Sequence, residues 1–419
     1  MSRNEPCAAG ARLHPIPPRH FAEHRRRVIF SAFKWDPQVG DTCTVAEHVV
    51  VLRRETAHRL HRLAESLADE TVMVEEALRS RPELHNGLGL PAPLVGALRD
   101  AGCSVGRGRR HVRVMRFDFH PTTAGEWVVS EVNSDVPGGF AEASILPGLV
   151  APFVPHAEPF GPDVGTLMAE QLCAGAVGRG AIGLVHATSY ADDRQVMAFL
   201  AQRLREAGRL SVLIAPDHVR WSGGARCIAR GQEGELAAVV RFFPAEWLHH
   251  LPRVSEWRGY FSDAVASCNH ASAVLTQSKR VPLVWERLGV PLVWWPQLLP
   301  ETSEPSLRRI LDGWLLKPAL GRVGQGITVP ETTTPRERRQ AALSALLHRR
   351  AWVAQRRFAS CPLPAAEGDR HLCIGVFTVN GRAAGFYGRM SKRPRIDEQA
   401  QDVAVLVERE KPSQPGVSA

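Results

Sequence analysis

The sequence predicts a mixed α/β protein, and three observations carry that expectation. Runs of alternating polarity around residues 111–133 and 372–390 ask for antiparallel hairpins. A strand–helix–strand series between 165 and 260 asks for a small open α/β domain, and Val45 to Leu78 repeats its leucines at helical spacing. With 419 residues, 44% of them hydrophobic, the chain has room for two or three domains with substantial cores.

In chain order, residues 1–20 are proline-rich and charged and are expected to be disordered, as is the tail 411–419. Residues 21–160 should hold N-terminal helices and a hairpin. Val45 to Leu78 reads as one or two amphipathic helices with Leu60, Leu63 and Leu67 inward, leaving His58 and His61 as surface or packing residues. His111 to His120 then alternates as a half-buried strand, with Met115, Phe117 and Phe119 on one side and Arg116 and Asp118 on the other. Trp127 to Asn133 would put Trp127, Val129, Glu131 and Asn133 on a single face. A two-residue turn at Ala124-Gly125 pairs Asp118 with Glu131 and Arg116 with Asn133.

This pairing gathers four polar side chains on one face. Two carboxylates at adjacent cross-strand positions repel unless a cation or proton lies between them. A small set of hard oxygen ligands suits Mg²⁺, which keeps several waters and takes its other oxygens from substrate phosphates. A solvated hairpin face fits the same residues, and the hairpin alone does not decide between the two. Next, Pro137-Gly138-Gly139-Phe140 forms a turn able to bring amides near an anion.

Residues 165–260 should form the small α/β domain. Ile182 to His186, Leu210 to Ala215 and Leu236 to Phe243 are its strands, and a helix starts near Arg194. Ligands in such sheets sit beyond the carboxyl ends of the strands, where Thr188 to Asp193 lies. Asp192 and Asp193 there either cap the helix or hold a substrate ammonium group. No GxGxxG occurs, so a dinucleotide is not indicated.

Residues 261–410 bring a different chemistry. Lys279 sits among small and apolar residues, and Trp314 to Pro318 reads as a strand ending in Lys317. Gly321, Gly324 and Gly326 follow, with Arg322 among them. Such a loop lets amides approach phosphate oxygens while its cations add fixed positive charge, although the ending of a Walker A loop is absent. Gln355 lies in the strand Trp352 to Phe358. Leu372 to Thr378 pairs with Ala383 to Met390 across Asn380-Gly381, and Arg389 ends that hairpin.

Composition weighs against other classes. No apolar run is long enough to span a bilayer, since stretches such as Ile145 to Val154 are broken by proline, and the amino terminus lacks a signal-peptide core. Cytoplasmic residence is the expectation. Eight cysteines without CxxC spacing and seventeen histidines without HExxH point away from structural zinc and from a disulfide framework. The net charge of +9 comes from scattered arginines with no nucleic-acid motif, so nucleic acid is not an expected partner.

The ordered set R-F-D-F…E-V-N-S-D, T-S-Y-A-D-D-R-Q-V-M, R-F-F-P-A-E-W-L, S-K-R-V-P-L-V-W, K-P-A-L-G-R-V-G-Q-G-I and F-Y-G-R resembles the synthetase part of glutathionylspermidine synthetases. These are circularly permuted ATP-grasp ligases, and the similarity covers roughly residues 110–395. The resemblance implies an ATP-grasp-like fold with a small pre-ATP-grasp domain, without room for the amidase domain some members add. It also implies an ATP- and Mg²⁺-dependent ligase that joins a peptide-like acid to an amine or polyamine through an acyl phosphate. Asp118, Glu131 and Asn133 would coordinate Mg²⁺. Arg116 would neutralise the transferring phosphoryl or acyl-phosphate oxygens, Lys279 and Lys317 would grip ATP phosphates with Arg322 and the following glycines closing over them, Gln355 would lie in the nucleotide pocket, and Arg389 would meet the phosphate or the substrate carboxylate. Asp193 falls where the family binds substrate. The stretch Ser134 to Gly139 departs from the pattern of glutathione-using enzymes, so the acid is left open. The alternative is a non-catalytic nucleotide- or peptide-binding relative acting as a partner or regulator.

Overall fold

The computed structural model describes residues 9–410 apart from 36, 40–41, 103–110, 323 and 325. The expected tail 411–419 and residues 1–8 lie outside the described residues. Residues 9–20 do not follow the expectation of disorder: Ala11–Pro15 is a strand and Pro18–Ser31 a helix. The strand exists because it pairs along its whole length with Val45–Leu52, a partner that local composition does not reveal.

The central sheet runs Ala11–Pro15, Val45–Leu52, Gln401–Glu408, Arg382–Ser391, His371–Val379, Val114–Pro121, Trp127–Asn133, with the short Ala157–Glu158 beside Gln401–Glu408. Its neighbours are antiparallel, except that Val45–Leu52 and Gln401–Glu408 run parallel. The expected helix over Val45 to Leu78 is therefore corrected in its first part. Val45–Leu52 is a strand buried on both faces, which its valine-rich run favours, and the helix occupies Arg54–Arg79. Leu60, Leu63 and Leu67 of that helix pack on Phe117, Phe119, Ile374 and Val376 of the sheet. Burial of such side chains contributes about 1.5–3 kcal/mol each. His58 and His61 pack against the Phe160 ring, as a packing role requires.

On the opposite face Val114, Phe377 and Val379 meet Phe140 and the helices Val164–Gly175 and Ala191–Glu206. A second sheet places Ala181–His186 between Ser211–Ile214 and Gly234–Phe242, all parallel, with Ala191–Glu206 as the crossover helix. A third sheet orders Thr302–Ser303, Trp352–Gln355 and Leu315–Pro318, and the helix Pro335–Leu347 packs on it through Ala345 against Leu316 and Ala354. Among the described residues no helix is long and apolar enough to cross a membrane. No disulfide is formed among the described cysteines.

Candidate functional site

The hairpin pairs Asp118 with Glu131 and Arg116 with Asn133, as the sequence predicts, but by a different route. Nearer the turn, Phe119 pairs with Val129 and Pro121 with Trp127, a register one residue out of step with the site. Ser130 is the extra residue, a β-bulge that restores the pairing. Trp127 and Val129 consequently join the core, while Glu131 and Asn133 face the cleft. The single continuous face expected for all four is corrected by that bulge.

The cleft has a volume of about 570 Å³ and lies where the three sheets meet. Arg116, Asp118, Glu131 and Asn133 line it from the hairpin, and Gly138 and Gly139 from the turn that follows. Asp192 and Asp193 enter from the second sheet, Lys317, Arg322 and Gly324 from the third, and Arg389 from the central one. Lys279 and Gln355 line an adjoining smaller pocket, whose walls include Val74, Trp285, Trp295 and Leu299 and which shares Glu131 with the cleft. Gly321 stands behind Lys279, accepting its Nζ at 2.6 Å, and Gly326 packs on Pro318 away from the main cleft.

The carboxylates do not face each other unscreened. Arg116 donates from Nε to Asp118 Oδ1 at 2.7 Å and from Nη2 to Oδ2 at 2.9 Å, and Asn133 donates to Oδ2 at 3.0 Å. Arg116 also donates to the Gly138 carbonyl at 2.6 Å and lies over the Tyr387 ring, 5.1 Å from its centroid. Lys279 Nζ is 2.9 Å from Glu131 Oε2. Burial would raise the Glu131 carboxyl, but Lys279 and Lys317 outweigh it and hold the group at about 2. Burial lowers the Lys317 amine to about 8, with Glu131 resisting and Lys279 adding to the fall. The repulsion that suggested a metal from sequence is thus offset here by protein cations.

Arg322 reaches across the cleft. It donates to Glu246 from Nε at 3.0 Å and from Nη2 at 2.8 Å, and to Asp135 Oδ2 at 3.3 Å. Asp135 is fully buried, pairs with Arg241, and accepts the Ala245 amide at 2.9 Å. Arg389 donates to the Asp397 carbonyl at 2.6 Å, while its buried Nε has no protein partner. Gln355 donates to Thr302 at 3.1 Å and leaves its buried Oε1 unpartnered. Burial and the neighbouring Asp192 raise the Asp193 carboxyl to about 6 against the opposing Ala187 backbone and Arg322.

Sequence reasoning did not single out Asp135, Arg241, Glu246, Lys34, Tyr387 or Asp402. Lys34 bridges Glu142 at 2.9 Å and Asp402 at 2.6 Å, and the Tyr387 hydroxyl donates to Asp402 at 2.6 Å. The available signal was Arg241, a charge inside the apolar run Leu236 to Phe243.

A family model described as glutathionylspermidine synthase preATP-grasp matches residues 16–408. The structure is similar to a glutathione synthetase-like effector from Globodera pallida in its apo form. The TM-score is 0.59 at 11% identity, over 93% of this chain and 97% of that one. It also matches a chain from Methylobacillus flagellatus described as a gamma-glutamylcysteine synthetase, with TM-score 0.40 and 11% identity over 82% of this chain and 88% of that one. No curated protein matches the sequence. The first of these likenesses gives the fold as mixed α/β of the glutathione synthetase, ATP-grasp-like type. With residues 16–408 matched, the chain belongs to the glutathionylspermidine synthase preATP-grasp family, a family of synthetase-type ligases.

Proposed function

We propose that the cleft binds ATP with Mg²⁺ and joins a peptide-like carboxylic acid to an amine or polyamine. The observation that carries this reading is the convergence of Lys279, Lys317, Arg116 and Arg389 around Asp118 and Glu131. Phosphoryl transfer depends on positioning and charge compensation more than on covalent chemistry by the protein, and that is what these groups supply. The γ-phosphoryl passes to the acid, the amine attacks the acyl carbon, phosphate leaves, and an amide and ADP result.

The donor set fits magnesium. Glu131 is held ionised and uses Oε2 for Lys279, and Asn133 spends its Nδ2 on Asp118, which leaves Glu131 Oε1 and Asn133 Oδ1, on residues that line the cleft, as the oxygens to hold the ion, while both Asp118 oxygens already accept from Arg116 and Asn133. Bound Mg²⁺ would neutralise phosphate oxygens during transfer. The apolar pocket beside Glu131 suits a nucleobase, with the unpartnered Gln355 Oε1 ready to accept an exocyclic N–H. Arg389, with its buried unpartnered Nε, suits a phosphate or carboxylate oxygen, and Asp193 with Asp192 suits the amine.

Hydroxylamine trapping tests the proposal. Peptide acids incubated with ATP, Mg²⁺ and hydroxylamine should yield a hydroxamate and ADP in equal amounts. ATP binding by calorimetry without hydroxamate or ADP across a broad acid panel would instead favour a binding protein without turnover.

A further inference from the structure

The bulge at Ser130 decides which side of the hairpin Glu131 faces. If the register nearer the turn ran on unbroken, Glu131 would lie opposite Phe117, whose side chain is fully buried, and Val132 would turn toward the cleft. One inserted residue therefore moves a carboxylate from the core side to the cleft side.

An inserted residue keeps its place only if something fixes it. The Ser130 hydroxyl lies 3.0 Å from His120 Nε2 and 3.4 Å from the Asp118 carbonyl oxygen, and the Ser130 carbonyl accepts from Lys317 at 3.4 Å. His120 is itself immobilised. It is 8% exposed, and its ring centroid is 5.3 Å from that of Phe358. Among the described contacts, only the hydroxyl ties the Ser130 side chain to this rigid wall. His120 lines the cleft but touches neither Asp118 nor Glu131 through a hydrogen bond of its side chain.

We infer that His120 is a positioning residue, whose contact with Ser130 Oγ pins the bulge that turns Glu131 into the cleft. Its consequence for metal binding rests on the reading of Glu131 as a metal ligand given above. The register it sets does not. Removing the contact leaves the hairpin free to relax toward the register nearer its turn, which breaks the Glu131–Lys279 ion pair.

Crystal structures of His120→Leu and Ser130→Ala decide the matter, with His120→Gln as the variant that keeps a hydrogen-bonding group near the place of Nε2. The expected result is loss of the Glu131–Lys279 contact in the first two and its retention in the third. Mn²⁺ titration by electron paramagnetic resonance, with a non-hydrolysable ATP analogue, should then show weakening of about tenfold or more in the first two and recovery with glutamine. A Glu131–Lys279 contact unchanged in both His120→Leu and Ser130→Ala overturns the inference. If His120→Leu fails to fold, Ser130→Ala, which removes a single oxygen, decides alone. Should the wild type bind no Mn²⁺, the metal reading fails, while the positioning inference is still judged by that contact.

Discussion

Glu131→Gln preserves side-chain size and removes one charge from a cluster that depends on it. In the folded protein Lys279 and Lys317 bring this carboxyl from 4.5 down to about 2 against the opposing effect of burial. Each pH unit of displacement is worth about 1.4 kcal/mol, so the lowering amounts to about 3 kcal/mol of stability at neutral pH. With the Glu131 side chain only 19% exposed, water screens little of this. A carboxyl depressed on folding stabilises above its ordinary value, and the contribution is lost as pH falls from about 4.5 toward about 2. Removing the Glu131 charge also removes what resists the fall of the Lys317 amine, which in the variant drops further below its ordinary value. Thermal unfolding without nucleotide should therefore show Glu131→Gln melting below the wild type at pH 7, with the gap closing as the pH falls through that window. Mg²⁺-dependent ADP release should disappear in the same variant. A gap independent of pH, or equal melting at pH 7, would refute the electrostatic reasoning, and surviving turnover would refute the role given to Glu131.

Three further outcomes are expected. A phosphate beside Lys317 should raise its amine from about 8, so ATP binding near that pH should take up a proton. Calorimetry in two buffers of different ionisation enthalpy measures the uptake, which Lys317→Met should abolish. A cationic amine should bind more tightly as pH rises through about 6, where Asp193 ionises, and Asp193→Asn should flatten that dependence. Putrescine titrated across this range by calorimetry checks it, and a wild-type affinity insensitive to pH counts against the assignment. Gly139 has φ +88°, and a Cβ there would come within 2.6 Å of the Tyr387 ring, so Gly139→Ala should cost about 1–3 kcal/mol. A thermal midpoint equal to that of the wild type would contradict this.

The parts of the site that were legible in the sequence lie where local pattern and tertiary demand agree. Phe117 and Phe119 alternate with Arg116 and Asp118 because one side of the strand meets the leucines of Arg54–Arg79 and the other the cleft. Asn380-Gly381 forms its turn with both residues at positive φ, which is why the dipeptide announces a hairpin. Ser130 was not legible as a bulge, since an inserted residue has no composition of its own and here depends on His120 across the hairpin. Val45–Leu52 and Ala11–Pro15 were missed because their pairing is remote, and a valine run beside a strong helix shares its apolar content. Asp135 and Glu246 are ordinary acids until Arg241 and Arg322 are brought to them by three separate sheets.

The parallel pairing of Val45–Leu52 with Gln401–Glu408 bears on how the chain is made in a cell. During synthesis the strand ending at Leu52 emerges long before its partner Val407, and until then its buried valines have no neighbour on that side. The central sheet therefore closes only after nearly the whole described chain has left the ribosome. Nascent chains should need chaperone cover over Val49, Val50 and Val51. A stop codon before Gln401 would remove an interior strand of the sheet and yield aggregate in place of a slightly shorter protein.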